Sequence, residues 1–324
     1  MYTLEQCRHI VEKRLKEMRL PEKPALLYDP IRYVCGSGGK RIRPALTLLA
    51  CNLFSDYPEN AINPALAIEL FHNFTLIHDD IMDGSSLRRG KPTVHKKWDD
   101  NVGILSGDAM LIKAYEILSY SPKQILHELF VIFNKTASEV CEGQQYDMDY
   151  QASMSVTIQD YLQMIELKTS VLLAASLKIG SLCGGASEKD ANLLYSFGKD
   201  LGIAFQLQDD LLDVYADQQV FGKSVGSDII ANKKTFLLVS AIKLAKGSLK
   251  ETLIYWIEKT NFNRTEKIEA ILDIYNRLDI KNITREKIRQ LFNKAIMSLD
   301  MVSVEAERKT VLLDFVSQLK QREK

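Results

Sequence analysis

Proline is confined to the first part of this 324-residue chain, because all eight prolines lie at or before Pro122. Residues 123–324 therefore lack the residue that most strongly interrupts a helix. Strand-like alternation of apolar and polar residues is missing from the sequence, and Asp83-Gly84 is an isolated dipeptide of the hairpin-turn type. These features together predict a helical chain.

Apolar residues recur at helical spacing along the whole sequence. The predicted helices cover residues 4–20, 43–55, 61–82, 102–119, 122–149, 157–182, 187–214, 232–246, 248–258, 264–280 and 284–320. No linker or low-complexity segment divides them. We therefore predict an all-α fold with a single domain over residues 1–324, a large helical bundle around a central cavity that would hold a ligand.

The composition narrows the classes of function. The chain carries 42 basic and 42 acidic residues, so its formal charge gives no reason to expect nucleic acid or an anionic membrane as partner. Its five cysteines are odd in number, widely spaced and without a C-x-x-C pair, which is typical of reduced thiols. The amino-terminal segment does not resemble a signal peptide, and no apolar run is long enough for a membrane span. We therefore expect a cytoplasmic protein.

Three carboxylates follow an apolar segment in FHNFTLIHDDIMDGSSLRRGKPTVH, residues 71–95. On a helix, Asp79, Asp80 and Asp83 would lie within ~6 Å of one another, because residues three and four apart are neighbours. Each pair would repel by about 3 kcal/mol at an effective dielectric constant of about 20, and by much less in open water. The stretch by itself therefore permits two interpretations, a solvated acidic helix end or half-buried carboxylates that need Mg²⁺ as a counterion.

A second copy of the pattern occurs in FQLQDDLLD, residues 205–213, where Asp209, Asp210 and Asp213 again end an apolar helix. One D-D-x-x-D motif is weak evidence, but two at the ends of apolar helices indicate a common role. If the two helices are neighbours, six carboxylates would face one cavity and would repel unless cations and a polyanion lay between them. A diphosphate with about three Mg²⁺ ions is the simplest ligand with this charge.

Basic residues accompany both motifs. The glycine-rich sequence GSGGKRIRP places Lys40, Arg41 and Arg43 behind a loop whose backbone can approach an anion. Arg88 and Arg89 follow the first motif closely enough to reach the same ligand. Three further lysines lie in ELKTS, FGKSVGSD and ANKKTF: Lys168, Lys223 and Lys233. Taken alone, each of them would be interpreted as a surface lysine.

In combination, these motifs resemble those of the trans-prenyltransferases, the family of polyprenyl (isoprenyl) diphosphate synthases. The resemblance follows the family's order from GGKRIRP through DDIMD, RRGKPTVH, GD, ELKTS, FQLQDDLLD and GKSVGSDI to NKKT, roughly residues 35–240. It implies an all-α, usually homodimeric isoprenoid synthase fold. It also implies Mg²⁺-dependent condensation of isopentenyl diphosphate with an allylic diphosphate (dimethylallyl, geranyl or farnesyl), with Mn²⁺ able to substitute.

Carried over residue by residue, the resemblance gives each motif residue a role. The implied metal ligands are Asp79, Asp83 and Asp209, and Asp80, Asp210 and Asp213 complete the two motifs. The residues implied to bind the allylic diphosphate are Arg88, Lys168, Lys223 and Lys233. Those implied to bind isopentenyl diphosphate are Lys40, Arg43, His72 and Arg89, with Arg41 in the same motif. Those implied to face the developing cation are Thr169 and Gln206. For His72, an ordinary core histidine is the alternative.

The length of the product is expected to depend on residues that precede the first motif. Because a helix rises 1.5 Å per residue, Phe74 would lie ~7.5 Å from Asp79 along the axis and could meet a growing chain. Phe71 lies one turn further, and Tyr115 is expected to help close the same floor. An aromatic residue at Phe74 followed by the small Thr75 resembles the short-chain pattern of geranylgeranyl diphosphate synthases. Ordinary core packing of Phe74 and a farnesyl product are the alternatives.

Two further classes of protein stay open on the sequence. A terpene cyclase also ionises a diphosphate in an all-α cavity, but it would not need the second set of cations, Lys40, Arg43 and Arg89. A non-catalytic partner subunit, as in heteromeric members of the family, typically lacks the aspartates, whereas both motifs are intact here. The segment after about residue 245 carries few motif residues, and we interpret it as packing.

Overall fold

The computed structural model of this protein describes residues 1–216 and 226–321. These residues are almost entirely helical, which confirms the predicted all-α class. They form two compact units, and the chain enters each of them more than once. The first unit comprises Met1–Asn134, Ala175–Tyr195 and Val302–Leu312, and the second comprises Lys135–Ala174, Ser196–Met301 and Leu313–Lys324. The single domain over residues 1–324 stays a prediction.

The helices are numbered here in chain order. The first seven are α1 (Leu4–Glu17), α2 (Ala25–Cys35), α3 (Ile42–Phe54), α4 (Ile62–Met82), α5 (Val94–Lys97), α6 (Asp100–Leu118) and α7 (Leu126–Ala152). Those in the described remainder are α8 (Ile158–Ile165), α9 (Val171–Cys183), α10 (Glu188–Tyr215), α11 (Ser227–Ile230), α12 (Phe236–Leu244), α13 (Gly247–Glu258), α14 (Arg264–Arg277), α15 (Ile280–Asp300) and α16 (Ala306–Lys320). Three smaller elements accompany them: a 3₁₀ turn (Pro58–Ala61), a π-helical turn (Glu166–Ser170) and an antiparallel hairpin of β1 (Leu87–Arg88) and β2 (Lys91–Pro92).

Helix α4 lies in the core of the first unit and carries the first acidic motif at its end. It is buried on several sides along most of its length, and it becomes exposed at Met82 and Asp83. Helix α6 packs closely against its last turns, because a Cβ atom at Gly107 would lie only 2.3 Å from Nε2 of His78. The apolar body of α4 thus fixes where its acidic end leaves the core.

In the second unit, α7 and α10 both approach the π-helical turn at a glycine. A Cβ atom at Gly143 of α7 would lie 2.2 Å from the backbone nitrogen of Lys168, and one at Gly202 of α10 would lie 2.7 Å from Oγ of Ser170. The hydroxyl of Ser170 donates to the carbonyl of Lys199 on α10. The turn is therefore held closely by two helices of the same unit.

Helix α2 was not predicted from the sequence because Pro30 lies in its interior, and the short helices α5 and α11 were also not predicted. Proline cannot donate to the carbonyl four residues earlier, which here belongs to Leu26. That carbonyl instead accepts a hydrogen bond from Oγ of Ser106 on α6, at 3.5 Å. A tertiary contact thus replaces the bond that proline removes.

Three other predictions of secondary structure were wrong in detail. The segment 284–320 is two helices rather than one, and the backbone nitrogen of Ser303 between them donates to Asp190 at 2.8 Å. The segment 157–182 contains the π-helical turn, and the predicted loop after the first acidic motif contains the β1–β2 hairpin. In segment 284–320, the distant side chain of Asp190 accepts the hydrogen bond of the Ser303 backbone nitrogen, which would otherwise be available to continue a helix.

All five cysteines have free thiols, as the sequence predicts, and three are buried: Cys7, Cys51 and Cys183. Burial raises the pKa of the Cys7 and Cys51 thiols to about 12, which keeps them protonated. Within residues 1–216 and 226–321, none of the helices has the length and apolar character needed to cross a membrane.

Candidate active site

The first acidic motif occupies the carboxyl end of α4, where the helix dipole disfavours negative charge. Asp80 is buried, Asp79 is partly buried and Asp83 is exposed. Arg88 of β1 joins two of them: its Nε donates to Oδ1 of Asp80 at 2.7 Å and its Nη2 to Oδ2 of Asp79 at 3.0 Å. Burial raises the pKa of Asp80, and the adjacent guanidinium of Arg88 opposes that rise. The arrangement thus holds cation and carboxylates together at the edge of the core.

The hairpin orients both arginines of the RRG sequence. Arg88 pairs with Lys91, and the turn residues Arg89 and Gly90 both have positive φ angles, 54° and 74°. Two central residues of this kind define the turn type that matches the twist of a two-stranded hairpin. Arg88 therefore reaches the first motif, while the guanidinium of Arg89 donates to the carbonyl of Gly38 in the glycine-rich loop.

Glycine is required in that loop. Gly38 and Gly39 have φ angles of 76° and 134°, and a Cβ atom at Gly39 would lie 2.7 Å from Cζ of Arg89. Only a residue without a side chain lets the guanidinium lie against the backbone at this point. Lys40 follows in the same loop and is exposed.

Arg43 and His72 lie beside the loop and contact each other, with 3.2 Å between Nη1 and Nε2. Because a guanidinium only donates, Nε2 of His72 accepts and the ring proton belongs on Nδ1. Burial, and then the charge of Arg43, lowers the pKa of His72 well below 6.5. His72 is therefore an uncharged imidazole next to several arginines, and its contact with substrate stays a prediction.

Arg41 differs from the expectation that it binds substrate. Its side chain is only 5% exposed, it forms an ion pair with Glu69 of α4, and its Nη2 donates to the carbonyl of Cys35 at 2.6 Å. Asn73 completes the cluster by donating to Glu69 at 3.0 Å. Both terminal nitrogens of the guanidinium thus have protein acceptors, and substrate binding by Arg41 stays a prediction.

The second acidic motif ends α10, and its three members face different surroundings. Asp210 is 2% exposed and accepts hydrogen bonds from the hydroxyl of Tyr161 and, at 3.0 Å, from Nε2 of Gln206. Asp213 accepts from the backbone nitrogen of Asp228 at 2.9 Å. Asp209 is partly exposed. Asp210 and Asp213 thus accept hydrogen bonds from distant parts of the chain, and the role of Asp209 as a metal ligand stays a prediction.

The predicted cations of the second unit lie near carboxylates. Nζ of Lys168, in the π-helical turn, lies 2.6 Å from Oδ2 of Asp147 on α7, and Nζ of Lys233 lies 3.9 Å from Oδ1 of Asp228. Thr169 follows Lys168 in the same partly exposed turn, and π-helical turns are frequent at functional sites. Lys223 lies outside the described residues.

Charge coupling around Lys233 is strong. Burial raises the pKa of Asp228 to about 7, and Lys233 opposes the rise. Burial lowers the pKa of Lys233, but Asp228 and the neighbouring carboxylates Asp210 and Asp147 more than reverse this, so the ammonium stays charged. The site therefore presents a permanent cation within an acidic environment.

The aromatic residues expected to set product length belong to one cluster in the first unit. Ring centroids lie 5.7 Å apart for Phe71 and Phe74, 5.4 Å for Phe71 and Phe133, and 5.2 Å for Tyr115 and Phe133. Thr75 lies beside this cluster on α4, and its hydroxyl donates to the carbonyl of His72 at 2.8 Å. Phe133 of α7 joins the predicted rings although nothing in its local sequence identified it.

Sequence reasoning missed several other residues of the site: Glu69, Asp147, Tyr161 and Asp228. Asp228 was within reach, because it lies in the quoted GKSVGSDI sequence and follows the second motif. The others have no sequence pattern of their own. They contact site residues that are distant along the chain. Asp147 is 21 positions from Lys168, and Tyr161 is 49 positions from Asp210.

The donor set fits Mg²⁺. Oxygen ligands are what this ion prefers, and it usually takes one or two protein carboxylates and completes its shell with water and phosphate oxygens. In the described part of the chain, no three His, Cys, Asp or Glu side chains converge as a ready-made metal site. Carboxylates of this kind suit an ion that is completed by a bound diphosphate, and the ligand set Asp79, Asp83 and Asp209 stays a prediction.

Comparison with known proteins identifies the family of the chain. The chain matches the family model described as Polyprenyl synthetase over residues 24–275. A geranylgeranyl diphosphate synthase of Methanosarcina mazei is 39% identical over 317 residues, 97% of this chain and 95% of that protein. A crystal structure of a geranylgeranyl pyrophosphate synthase has 42% identity and a TM-score of 0.94, with 98% of both chains covered. A geranylfarnesyl diphosphate synthase of Natronomonas pharaonis is 38% identical over 72% of this chain and 74% of that protein.

The fold and the two acidic motifs with their cations define an all-α enzyme of prenyl transfer. The chain belongs to the polyprenyl synthetase family. Enzymes of this family generally depend on divalent metal ions and use isoprenoid diphosphates as substrates.

Proposed function

We propose that this protein condenses isopentenyl diphosphate with allylic diphosphates, head to tail (1′-4), and forms all-trans geranylgeranyl diphosphate. The observation that carries the proposal is a second pair of cations around the glycine-rich loop, Arg43 and Arg89, with neutral His72 beside them, in addition to the cations beside the aspartate motifs. A terpene cyclase binds one diphosphate and would not need these additional cations. A non-catalytic partner would give no reason for two intact aspartate motifs.

The first step is the ionisation of the allylic diphosphate. Asp79, Asp83 and Asp209 would hold Mg²⁺, about three ions per site, which neutralises the charge that develops on the leaving diphosphate. Lys168 and Lys233 add fixed positive charge in the same step, which is most effective when it is in place before the carbon–oxygen bond breaks. Lys223, outside the described residues, is proposed to join them.

The second step joins the two substrates. Lys40, Arg43 and Arg89 would hold isopentenyl diphosphate, with neutral His72 as an uncharged partner. The double bond of isopentenyl diphosphate attacks the allylic cation, a carbon–carbon bond forms, and a proton leaves to the departed diphosphate. The dipoles of Thr169 and Gln206 can stabilise the cation without reacting, provided that apolar walls exclude water.

The proposed length of the product rests on Phe74. Its ring lies one to two turns before Asp79 on α4 and packs against Phe71 at the start of the aromatic cluster. A chain that grows along α4 from the diphosphate would meet this cluster, which supports twenty carbons. Farnesyl diphosphate, with fifteen carbons, is the alternative product.

The protein is further proposed to act in the cytoplasm as a homodimer. Large apolar side chains are exposed on adjacent faces of the first unit: Leu105 and Ile112 are 60% and 69% exposed on α6, and Val131 is 53% exposed on α7. Leu105 and Ile112 are seven residues apart and therefore share one helix face. Covering this stripe with a second copy would remove it from water. Light scattering of the wild type and of Ile112→Glu tests the dimer, since the variant should be monomeric.

The function is tested by product analysis with isopentenyl diphosphate and each allylic primer, with Mg²⁺ or Mn²⁺ and with a chelator. We expect geranylgeranyl diphosphate with either metal, and diphosphate release only when isopentenyl diphosphate is present. Asp79→Ala and Asp209→Ala should reduce turnover by several orders of magnitude while the fold persists. Asp273→Ala, which removes an exposed aspartate of α14, is the matched control. Near-normal turnover in either motif variant would contradict the proposal.

A further inference from the structure

Lys267 of α14 is a buried cation in a region that the sequence presents as packing. Its side chain is 0% exposed. Its Nζ donates to Oδ1 of Asn232 at 2.7 Å and lies 4.2 Å from the ring centroid of Phe262. Within residues 1–216 and 226–321, no carboxylate lies within ion-pair distance of this ammonium. Its partners are thus an amide oxygen and an aromatic ring.

Packing alone does not account for such a residue. Transfer of an ammonium group from water into a protein core costs several kcal/mol, and an apolar side chain of similar volume is often as stable or more stable there. Burial also lowers the pKa of Lys267, which reflects this cost. A buried polar group of this kind is better explained by the geometry that it specifies in its partner.

The partner, Asn232, has a restricted backbone and is held at three points. Its φ angle is 51°, in the left-handed region. Its side-chain Nδ2 donates to the carbonyl of Ile257 at 2.9 Å, and its own carbonyl accepts from Nζ of Lys234 at 3.3 Å. Lys267 also donates to Oδ1, so hydrogen bonds fix both ends of the side-chain amide as well as the backbone carbonyl of Asn232. The peptide that leads into the next residue therefore has little freedom.

That next residue is Lys233. Its backbone nitrogen donates to the carbonyl of Asp228 at 3.0 Å, and its ammonium lies 3.9 Å from the carboxylate of the same residue. A small rotation at Asn232 would move the Lys233 ammonium relative to this partner. The position of the cation thus depends on contacts made by α14, about 30 residues further along the chain.

We infer that Lys267 is a positioning residue: through Asn232, it holds Lys233 in the orientation that binds the allylic diphosphate. This inference rests on the proposed function, because it assigns Lys233 to the allylic substrate. It gives α14 a part in substrate binding in addition to packing.

The test compares Lys267→Met with Ile271→Val, a substitution on the same buried face of α14 that alters packing and leaves the lysine in place. For each protein, the melting temperature, the KM for each substrate and the Kd for farnesyl thiodiphosphate with Mg²⁺ are measured. We expect Lys267→Met to raise the allylic KM and the Kd by about tenfold, with the KM for isopentenyl diphosphate within about twofold and the melting temperature unchanged or higher. Ile271→Val should change neither KM.

A second variant keeps the inference testable if Lys267→Met does not fold. Asn232→Gly removes Oδ1 but allows the positive φ angle. It should weaken allylic binding to a similar degree, and the double variant should be no worse than either single one, because both remove the same contact. A lower melting temperature with an unchanged allylic KM, equal effects on both substrates, or additive effects would each overturn the inference. Failure of the proposed function is distinct, since the wild type would then form no prenyl product.

Discussion

Several charged side chains of the candidate site occur as pairs of opposite charge. Arg88 contacts Asp79 and Asp80, and Lys168 contacts Asp147 at 2.6 Å. Such pairs keep long, flexible side chains in place and limit the cost of burying their charges. Under the proposed function, a diphosphate would compete with carboxylates for these cations, so that binding would exchange one set of ionic contacts for another.

His72 leads to a prediction about pH. The pKa of its imidazole is lowered well below 6.5 in the fold by burial and then by Arg43, whereas in the unfolded chain it titrates near 6.5. The unfolded state therefore binds more protons as the pH falls below 6.5, and His72 then makes unfolding more favourable. We expect stability to decrease from about pH 7.5 to about pH 5.5, and His72→Gln to reduce that decrease.

Chemical denaturation at several pH values measures the effect of His72. The control is His127→Gln, because His127 is an exposed histidine in the same unit. Identical pH curves for the wild type and His72→Gln would show that another group is responsible.

Phe74 leads to a prediction about product length. Removal of its ring in Phe74→Ala opens the start of the aromatic cluster, so products longer than twenty carbons should appear. Thr75→Phe adds a ring one residue closer to Asp79 and should shift the product towards farnesyl diphosphate. Chromatography of the dephosphorylated products with a farnesyl or geranyl primer gives the distribution. Phe54→Ala, outside the cluster, serves as control, and an unchanged distribution in Phe74→Ala would return this ring to ordinary core packing.

Among the elements, the π-helical turn Glu166–Ser170 has the most direct consequence for the site. An extra residue in a helical turn changes the direction of the side chains that follow. Here it presents Lys168 to Asp147 of α7, and the close approach of the two backbones at Gly143 makes this contact short. The function of Lys168 thus depends on a position 25 residues earlier that carries no functional group.

Gly143→Ala is therefore expected to affect both stability and substrate binding. Its Cβ atom would lie 2.2 Å from the backbone nitrogen of Lys168, so α7 and the π-helical turn must separate. Overpacking of this kind costs about 1–3 kcal/mol. We expect a lower melting temperature together with a higher KM for the allylic diphosphate. Glu142→Ala, at the adjacent exposed position, should change neither, and a fully stable Gly143→Ala with normal kinetics would refute the close contact.

For the whole molecule, the two compact units hold different parts of the binding machinery. The residues proposed to bind isopentenyl diphosphate all lie in the first unit. Of those proposed to bind the allylic diphosphate, Lys168 and Lys233 lie in the second unit, whereas Arg88 lies in the first. Loss of a cation should therefore weaken mainly the substrate that it binds.

This division predicts a kinetic split. Lys40→Ala and Arg43→Ala should chiefly raise the KM for isopentenyl diphosphate. Lys168→Ala and Lys233→Ala should chiefly raise the KM for the allylic substrate, because removal of one charged contact to a diphosphate weakens that ligand by about tenfold or more. Steady-state kinetics with each substrate varied in turn provides the measurement. Equal effects of all four variants on both substrates would contradict the assignment.

The sequence by itself determined the all-α class, the positions of both acidic motifs and the family. These properties depend on local order: helical periodicity, the absence of proline after Pro122, and short motifs whose residues are neighbours on one helix turn. For the same reason, the predicted helix over residues 61–82 ends at Met82, where α4 ends, and begins one residue before Ile62.

Only the tertiary structure decided how each motif residue is used. Arg41 is enclosed by Glu69, Asp210 is held by Tyr161, and Lys267 reaches Asn232 from a helix that carries no motif. In helix α2, the hydroxyl of Ser106 likewise donates to the carbonyl that Pro30 leaves without its helical donor. In each case, the partners are distant in sequence, so burial and hydrogen bonding between them leave no local pattern from which they could be predicted.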